Sequence, residues 1–217
     1  MHKSHDASEQ TTLTTKRIEA LHDGVFAIVM TLLILELKIP VTHDSQHLHA
    51  ELLALLPIVI SYVVTFVNLG IYWVGQQIQF HFIERSDRAF SWIHVLFLML
   101  VSVLPFTSAL LGHYPSDQIV SILYGLNLIA IGLVSYGSWC YATHHHRLTV
   151  HTIDNAFVKK VNRRILAAPV AALIAILLSF VSMTGSLLVY LLIVPYYIFP
   201  GRVDRFWRQE AVPHTHE

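Results

Sequence analysis

The sequence predicts an all-α polytopic membrane protein with six transmembrane helices. Three observations carry that expectation. Hydrophobic residues make up 54% of the 217 and charged residues only 13%, about half the charge of an ordinary soluble domain. The apolar residues gather in runs near the roughly 20 residues that a spanning helix needs. The basic residues fall between those runs on alternate connections only.

Taken in order, the expected spans cover residues 18–37, 52–76, 90–111, 119–141, 165–183 and 186–199. The last is short and follows the fifth after Thr184 and Gly185. One helix across both runs would far exceed a bilayer, so a tight hairpin is expected at Met183-Thr184-Gly185. Residues 1–16 are polar and lack the apolar core of a signal peptide; the first run is therefore expected to stay in the membrane.

Of the 14 Lys and Arg residues, 13 lie on one side when the spans alternate; Lys38 is the exception. The cluster Lys159, Lys160, Arg163 and Arg164 falls in the longest connection, 143–164, which is expected to be partly helical. The positive-inside rule makes that side cytoplasmic, with both termini on it, in the cytoplasmic membrane. The even span count and the charge pattern agree. Residues 1–208 read as one domain and 209–217 as a polar tail.

The net charge is zero with histidine neutral, so the total says nothing about partners; no nucleic-acid partner is expected of a membrane-embedded chain. The single cysteine, Cys140, lies in an apolar run and reads as a small buried residue. The 15 histidines invite a metal-site reading. However, His43, His47 and His49 belong to an outer loop and His144-His145-His146 to a basic one, and no H-E-x-x-H pattern occurs. An enzyme and a cofactor are not expected. A secondary transporter is the other rival; such proteins show repeats and broken helices, and neither is visible here.

The first span is polar in its cytoplasmic half. Glu19 and Asp23 are four apart and share a face. Ionisable groups at membrane depth mark functional sites and need partners; at headgroup level the same pair merely caps or pairs within a bundle. Beyond Gly24, Ile28, Leu32 and Leu35 form an apolar stripe flanked by Thr31. Around a symmetry axis the stripe would become stacked apolar rings, which gate ions by excluding water.

The string Arg17-Ile18-Glu19-Ala20-Leu21-His22-Asp23-Gly24 resembles the first-helix signature R-x-x-x-F-S-D of the transmembrane protein 175 potassium channels. Val25 through Glu36, Gly70-Ile71-Tyr72-Trp73, and Pro105-Phe106-Thr107-Ser108-Ala109-Leu110-Leu111-Gly112 are also similar, so the resemblance covers roughly 16–115. It implies a homotetramer of single six-helix units, surrounded by lipid, that passes potassium ions through a pore lined by the first helix. No T-V-G-Y-G filter is present. By the same resemblance Ile28 falls on the main constriction, Leu32 and Leu35 on further rings, and Thr31 on a hydroxyl ring. Arg17, His22 and Asp23 fall in a polar network at the cytoplasmic ends of the helices.

Two departures stand out. The signature Phe-Ser is Leu21-His22, where a histidine beside Asp23 either titrates near neutral pH or makes a structural hydrogen bond. After Tyr72-Trp73 the family often has a histidine pair, here replaced by Gly75-Gln76-Gln77. Glu36 either concentrates cations at the outer mouth or pairs with Lys38. The expected activity is passive, weakly to moderately potassium-selective conduction.

Overall fold

A computed structural model describes residues 13–39, 45–83, 85–144, 147–149 and 153–198. Its helices are α1 (Thr15–Leu32), α2 (Ser45–Ala54), α3 (Leu56–His81), α4 (Arg88–His113), α5 (Gln118–Thr143), α6 (Asn155–Ser179) and α7 (Met183–Ile198). A 3-10 turn, Leu33–Glu36, extends α1. Two short strands, β1 (Leu13–Thr14) and β2 (Arg85–Ser86), pair antiparallel and join the start of α1 to the α3–α4 connection.

Five segments are long and apolar enough to cross a membrane: 15–36, 48–81, 88–113, 118–143 and 155–179. The sixth, α7, has 16 residues and rises about 24 Å, short of a typical hydrocarbon core. The six-helix reading therefore holds with a short last member. The expected tail 209–217, Arg202, Arg205, Arg208, His43, His145 and His146 lie outside the described residues.

Three boundaries differ from expectation, each for a local reason. The hairpin before α7 occupies 180–182, three residues earlier than expected. Ser182 sets it: its Oγ accepts from the Gly185 amide at 3.2 Å, and a serine at this position satisfies a helix N-terminal donor. Met183-Thr184-Gly185 is thus the first turn of α7. In the outer connection, the segment carrying His47 and His49 forms α2 and is not a loop. Leu55 separates α2 from α3 just before Pro57, whose missing N–H and ring are tolerated only in a first helical turn. Finally, α6 begins ten residues before the expected fifth span. Its polar start buries Phe157 and Val161 against Phe80, Trp139 and Ala142, so an amphipathic turn continues the membrane helix into the basic region.

Three helices, α4, α5 and α6, are capped at the N-terminus by aspartates. Asp87 accepts from Phe90 N at 2.8 Å, Asp117 from Ile119 N at 2.8 Å, and Asp154 from Ala156 N at 3.0 Å. Each satisfies an amide that the helix cannot. The main core joins Phe26 and Val29 of α1 and Leu33 of the 3-10 turn to Leu69, Phe97, Val101, Leu104, Tyr124 and Ile131. Close approach of α5 and α6 requires Gly132, where a Cβ would collide with the Pro169 ring. Buried hydroxyls bond across helices: Ser61 Oγ donates to the Ser108 carbonyl at 2.7 Å, and Thr65 Oγ1 donates to Ser108 Oγ at 2.8 Å. In an apolar medium such groups must find partners within the protein.

Candidate functional site

The site is built on α1, whose two faces have opposite surroundings. His22, Phe26, Val29 and Leu33 recur at the helical period and are buried against α3 and α4. On the outer face Ile28 is 60% exposed, Leu32 45% and Leu35 67%. The three sequence-selected positions therefore do share an unpartnered apolar stripe within one chain. Its alignment is improved by a feature that the sequence reading lacked. Leu33–Glu36 is a 3-10 turn, and in that geometry residues three apart eclipse. Leu35 is thereby drawn into line with Leu32.

Thr31 is exposed beside the stripe. Its Oγ1 lies 2.9 Å from the Ala27 carbonyl and 2.8 Å from that of Ile28. The hydroxyl proton is committed to the helix's own carbonyls, so outward the oxygen offers lone pairs. Glu36 is half-buried in the 3-10 turn. Among the described residues no ion pair joins it to Lys38, whose amide instead donates to the Glu36 carbonyl at 3.1 Å.

At the other end of α1, the signature residues separate into two groups. Trp73 Nε1 donates to Asp23 Oδ1 at 2.8 Å, bridging α3 to α1. His22 turns inward: Nε2 is 3.0 Å from His94 Nδ1, and His94 Nε2 is 2.9 Å from Ser138 Oγ. His22 also stacks on Phe97, with ring centroids 5.4 Å apart and planes 11° apart, and meets Phe80 edge-on at 5.2 Å. Of the two open readings, the structure contains the structural hydrogen bond. Arg17 is exposed and, among the described residues, makes no ion pair with Glu19 or Asp23.

The His22–His94–Ser138 chain has a direction set by tautomers. With both imidazoles neutral, each supplies one N–H. If His22 donates to His94, then His94 donates to Ser138; the reverse assignment runs the whole chain backwards. In either case His22 Nδ1 remains buried and without a partner. It is a lone pair in the first case and an N–H in the second, and the first leaves the cheaper orphan.

Of the Gln76-Gln77 pair singled out in the sequence, Gln76 is buried and Gln77 exposed, and Gln76 shares a partner with Gln79, one turn further on. Gln76 Nε2 and Gln79 Nε2 each donate to Ser135 Oγ at 3.1 Å, tying α3 to α5. Gln76, Gln77, Trp73, Asp23, Glu19 and His22 help line a polar cavity of about 310 Å³ between α1 and α3. No group of three or more His, Cys, Asp or Glu side chains among the described residues is arranged to hold a metal ion.

Sequence reasoning did not select Trp73, His94 or Ser138 as site residues. Trp73 lay in a similar string, and a lone histidine in the run Trp92-Ile93-His94-Val95 was the available signal for His94.

Long apolar helices with exposed aliphatic perimeters, such as Leu173, Leu177 and Leu192, define a multi-pass helical membrane protein. Within that class, residues 17–105 match the family described as "Endosomal/lysosomal potassium channel TMEM175". A protein of Chamaesiphon minutus named a potassium channel is 34% identical, covering 88% of this chain and 96% of its own. Another potassium channel so named, from Streptomyces collinus, is 32% identical over 91% and 97%. The crystal structure of a lysosomal potassium-selective channel TMEM175 homolog from Chamaesiphon minutus superimposes with a TM-score of 0.74 at 32% identity, over 84% of this chain and 95% of that one. The chain belongs to the TMEM175 family.

Proposed function

We propose that this protein is a potassium channel of the cytoplasmic membrane, conducting cations passively and with weak to moderate selectivity. It acts as a homotetramer with α1 of each copy facing a central axis. One observation carries the reading: α1 buries one face in its own bundle and leaves Ile28, Leu32 and Leu35 exposed on the other. Four copies facing an axis would turn these residues into successive apolar rings. Ile28 forms the main constriction, and the 3-10 turn aligns Leu35 with Leu32 to lengthen the dry section.

An ion crosses such a passage only by shedding water. Potassium does so at lower cost than sodium, which gives the direction of selectivity. Thr31 presents hydroxyl oxygens to the partly hydrated ion, and Glu36 raises the local cation concentration at the outer mouth. Arg17, His22 and Asp23 hold the cytoplasmic ends of the helices, with both termini on that side and residues 1–208 forming one channel unit. No chemistry on a cofactor enters.

The test is ion flux into liposomes containing only the purified protein, with potassium and sodium gradients compared for the native chain and Ile28→Asn. Channel-like potassium flux that the substitution alters in rate or selectivity supports the reading. Flux insensitive to Ile28 moves the pore elsewhere, and no cation flux from folded protein removes the channel assignment. The alternative reading, a proton leak, is measured in the same liposomes with a trapped pH dye.

A further inference from the structure

At the end of the bundle that carries the basic residues, a groove of about 700 Å³ opens between α3, α5 and α6. Its walls are aliphatic and aromatic, including Phe66, Ile71, Val74 and Ile78 of α3 and Val161 and Ile165 of α6. Helix seams are ordinarily filled by side chains to near-crystalline density. Here α3 presents Gly70 and Gly75 to the groove, and a Cβ on either would meet no atom within 4 Å. Five residues apart, the two glycines stand about 140° around α3, and each leaves space at one flank of the groove where a side chain would otherwise stand.

A cation stands at the groove's edge. Arg164 lines it, and its Nη2 donates to the Tyr197 carbonyl at 3.3 Å, with the guanidinium 5.8 Å from the Tyr197 ring. Tyr197 Oη in turn donates to the Arg164 carbonyl at 2.6 Å and accepts from Ala168 N at 3.1 Å. The end of α7 is thus latched to α6, and the position of the charge is fixed. Lys160 lies four residues earlier on the same side of α6, exposed. An apolar slot within the membrane span, with two positive charges at its headgroup end, is complementary to an anionic amphiphile.

We propose that this groove binds an anionic phospholipid, with its acyl chains against the apolar wall between Gly70 and Gly75 and the phosphate beside Arg164 and Lys160. Trp73 contributes to the groove and also holds Asp23, so a lipid seated there presses on the residue that ties α3 to α1. Binding itself does not rest on the channel reading; only an effect on conduction would.

The test is native mass spectrometry of the full chain in detergent, with phosphatidylglycerol and phosphatidylcholine offered together. Retention of phosphatidylglycerol in preference is expected. Lys160→Gln should cut that preference about fivefold, the weight of one basic residue at a lipid surface, and Gly70→Leu with Gly75→Leu should remove retention of both lipids. Melting of each variant in detergent confirms folding, and Lys160→Gln, on an exposed side chain, supplies the readout if the leucine pair does not fold. Equal retention of the two lipids, or a preference untouched by these substitutions, overturns the proposal. So does a change in the mass of the assembly on filling the groove with lipid retention intact, which would make the groove a contact between copies.

Discussion

His22 Nε2 and His94 Nδ1 lie 3.0 Å apart in the buried space between α1 and α4, so the position that departs from the family signature carries a helix-to-helix bond. Restoring the signature residue by His22→Ser shortens the side chain, strands His94 Nδ1 and leaves a void beside Phe97. The expected loss is about 1–3 kcal/mol, seen as a lower melting temperature in detergent. His94→Ala strands Ser138 as well and should cost more. Because the two share one network, the double variant should lose less than the two separate losses added together; strict additivity would mean that the bond contributes nothing.

Ile28→Asn and Phe26→Ala should behave as opposites. Ile28 is exposed on the stripe while Phe26 is buried in the core. Substitution at Ile28 should leave the stability of the single chain within about 0.5 kcal/mol and change potassium flux. Phe26→Ala should cost about 3–5 kcal/mol through a core cavity. A large destabilisation by Ile28→Asn in detergent-solubilised monomers would place this residue inside the protomer's own packing.

Trp73→Phe keeps the aromatic wall and removes the indole donor to Asp23. That contact is solvent-exposed, so its loss should cost only about 1 kcal/mol. It is also a direct link between α3 and the proposed pore helix. Flux should therefore change by more than the melting temperature suggests. Asp23→Asn retains an acceptor oxygen and should come closer to native flux than Trp73→Phe; equal flux from all three chains would separate this bond from conduction.

Acid should loosen the α3–α4 corner. Partial burial raises the Asp87 pKa, but bonds from Phe90 N and Tyr141 Oη, and the Arg147 guanidinium 3.2 Å away, outweigh it and leave the carboxyl below its ordinary value. A group depressed in the folded state contributes stability above its unfolded pKa of about 3.9 and loses it as pH falls through the lower folded value. Asp87→Asn keeps an acceptor for the helix cap but loses the charge that faces Arg147; it should remove less than about 1 kcal/mol at neutral pH, the weight of an exposed ion pair, and flatten the melting temperature's decline below about pH 4. An unchanged acid limb would assign the decline to other carboxylates.

The two halves of α1 show how far the sequence was legible. The outer stripe followed from spacing alone, since 28, 32 and 35 recur at the helical period. The inner half did not, because hydropathy cannot say whether a polar residue on such a helix turns inward. His22 meets a partner 72 positions away and Asp23 one 50 positions away. The same limit explains Gln76 and Gln79, whose common partner Ser135 lies on another helix. The hairpin before α7 is a different case: Ser182 is a cap residue legible in the sequence, but Gly185 is an equally good turn residue three positions on, and the bond from the Gly185 amide to Ser182 Oγ decides between them.

By itself the sequence determined the helical class, the number and order of apolar segments, the one-sided placement of basic residues and the apolar stripe, because each of these is written in local composition and period. Only the tertiary structure decided which face of α1 is buried, that His22 pairs with His94 while Asp23 pairs with Trp73, that Leu35 is drawn toward Leu32 by a 3-10 turn, and that glycines leave a groove beside Arg164. These depend on contacts between helices distant in the chain, and their geometry is fixed by packing rather than by any periodicity within a single segment.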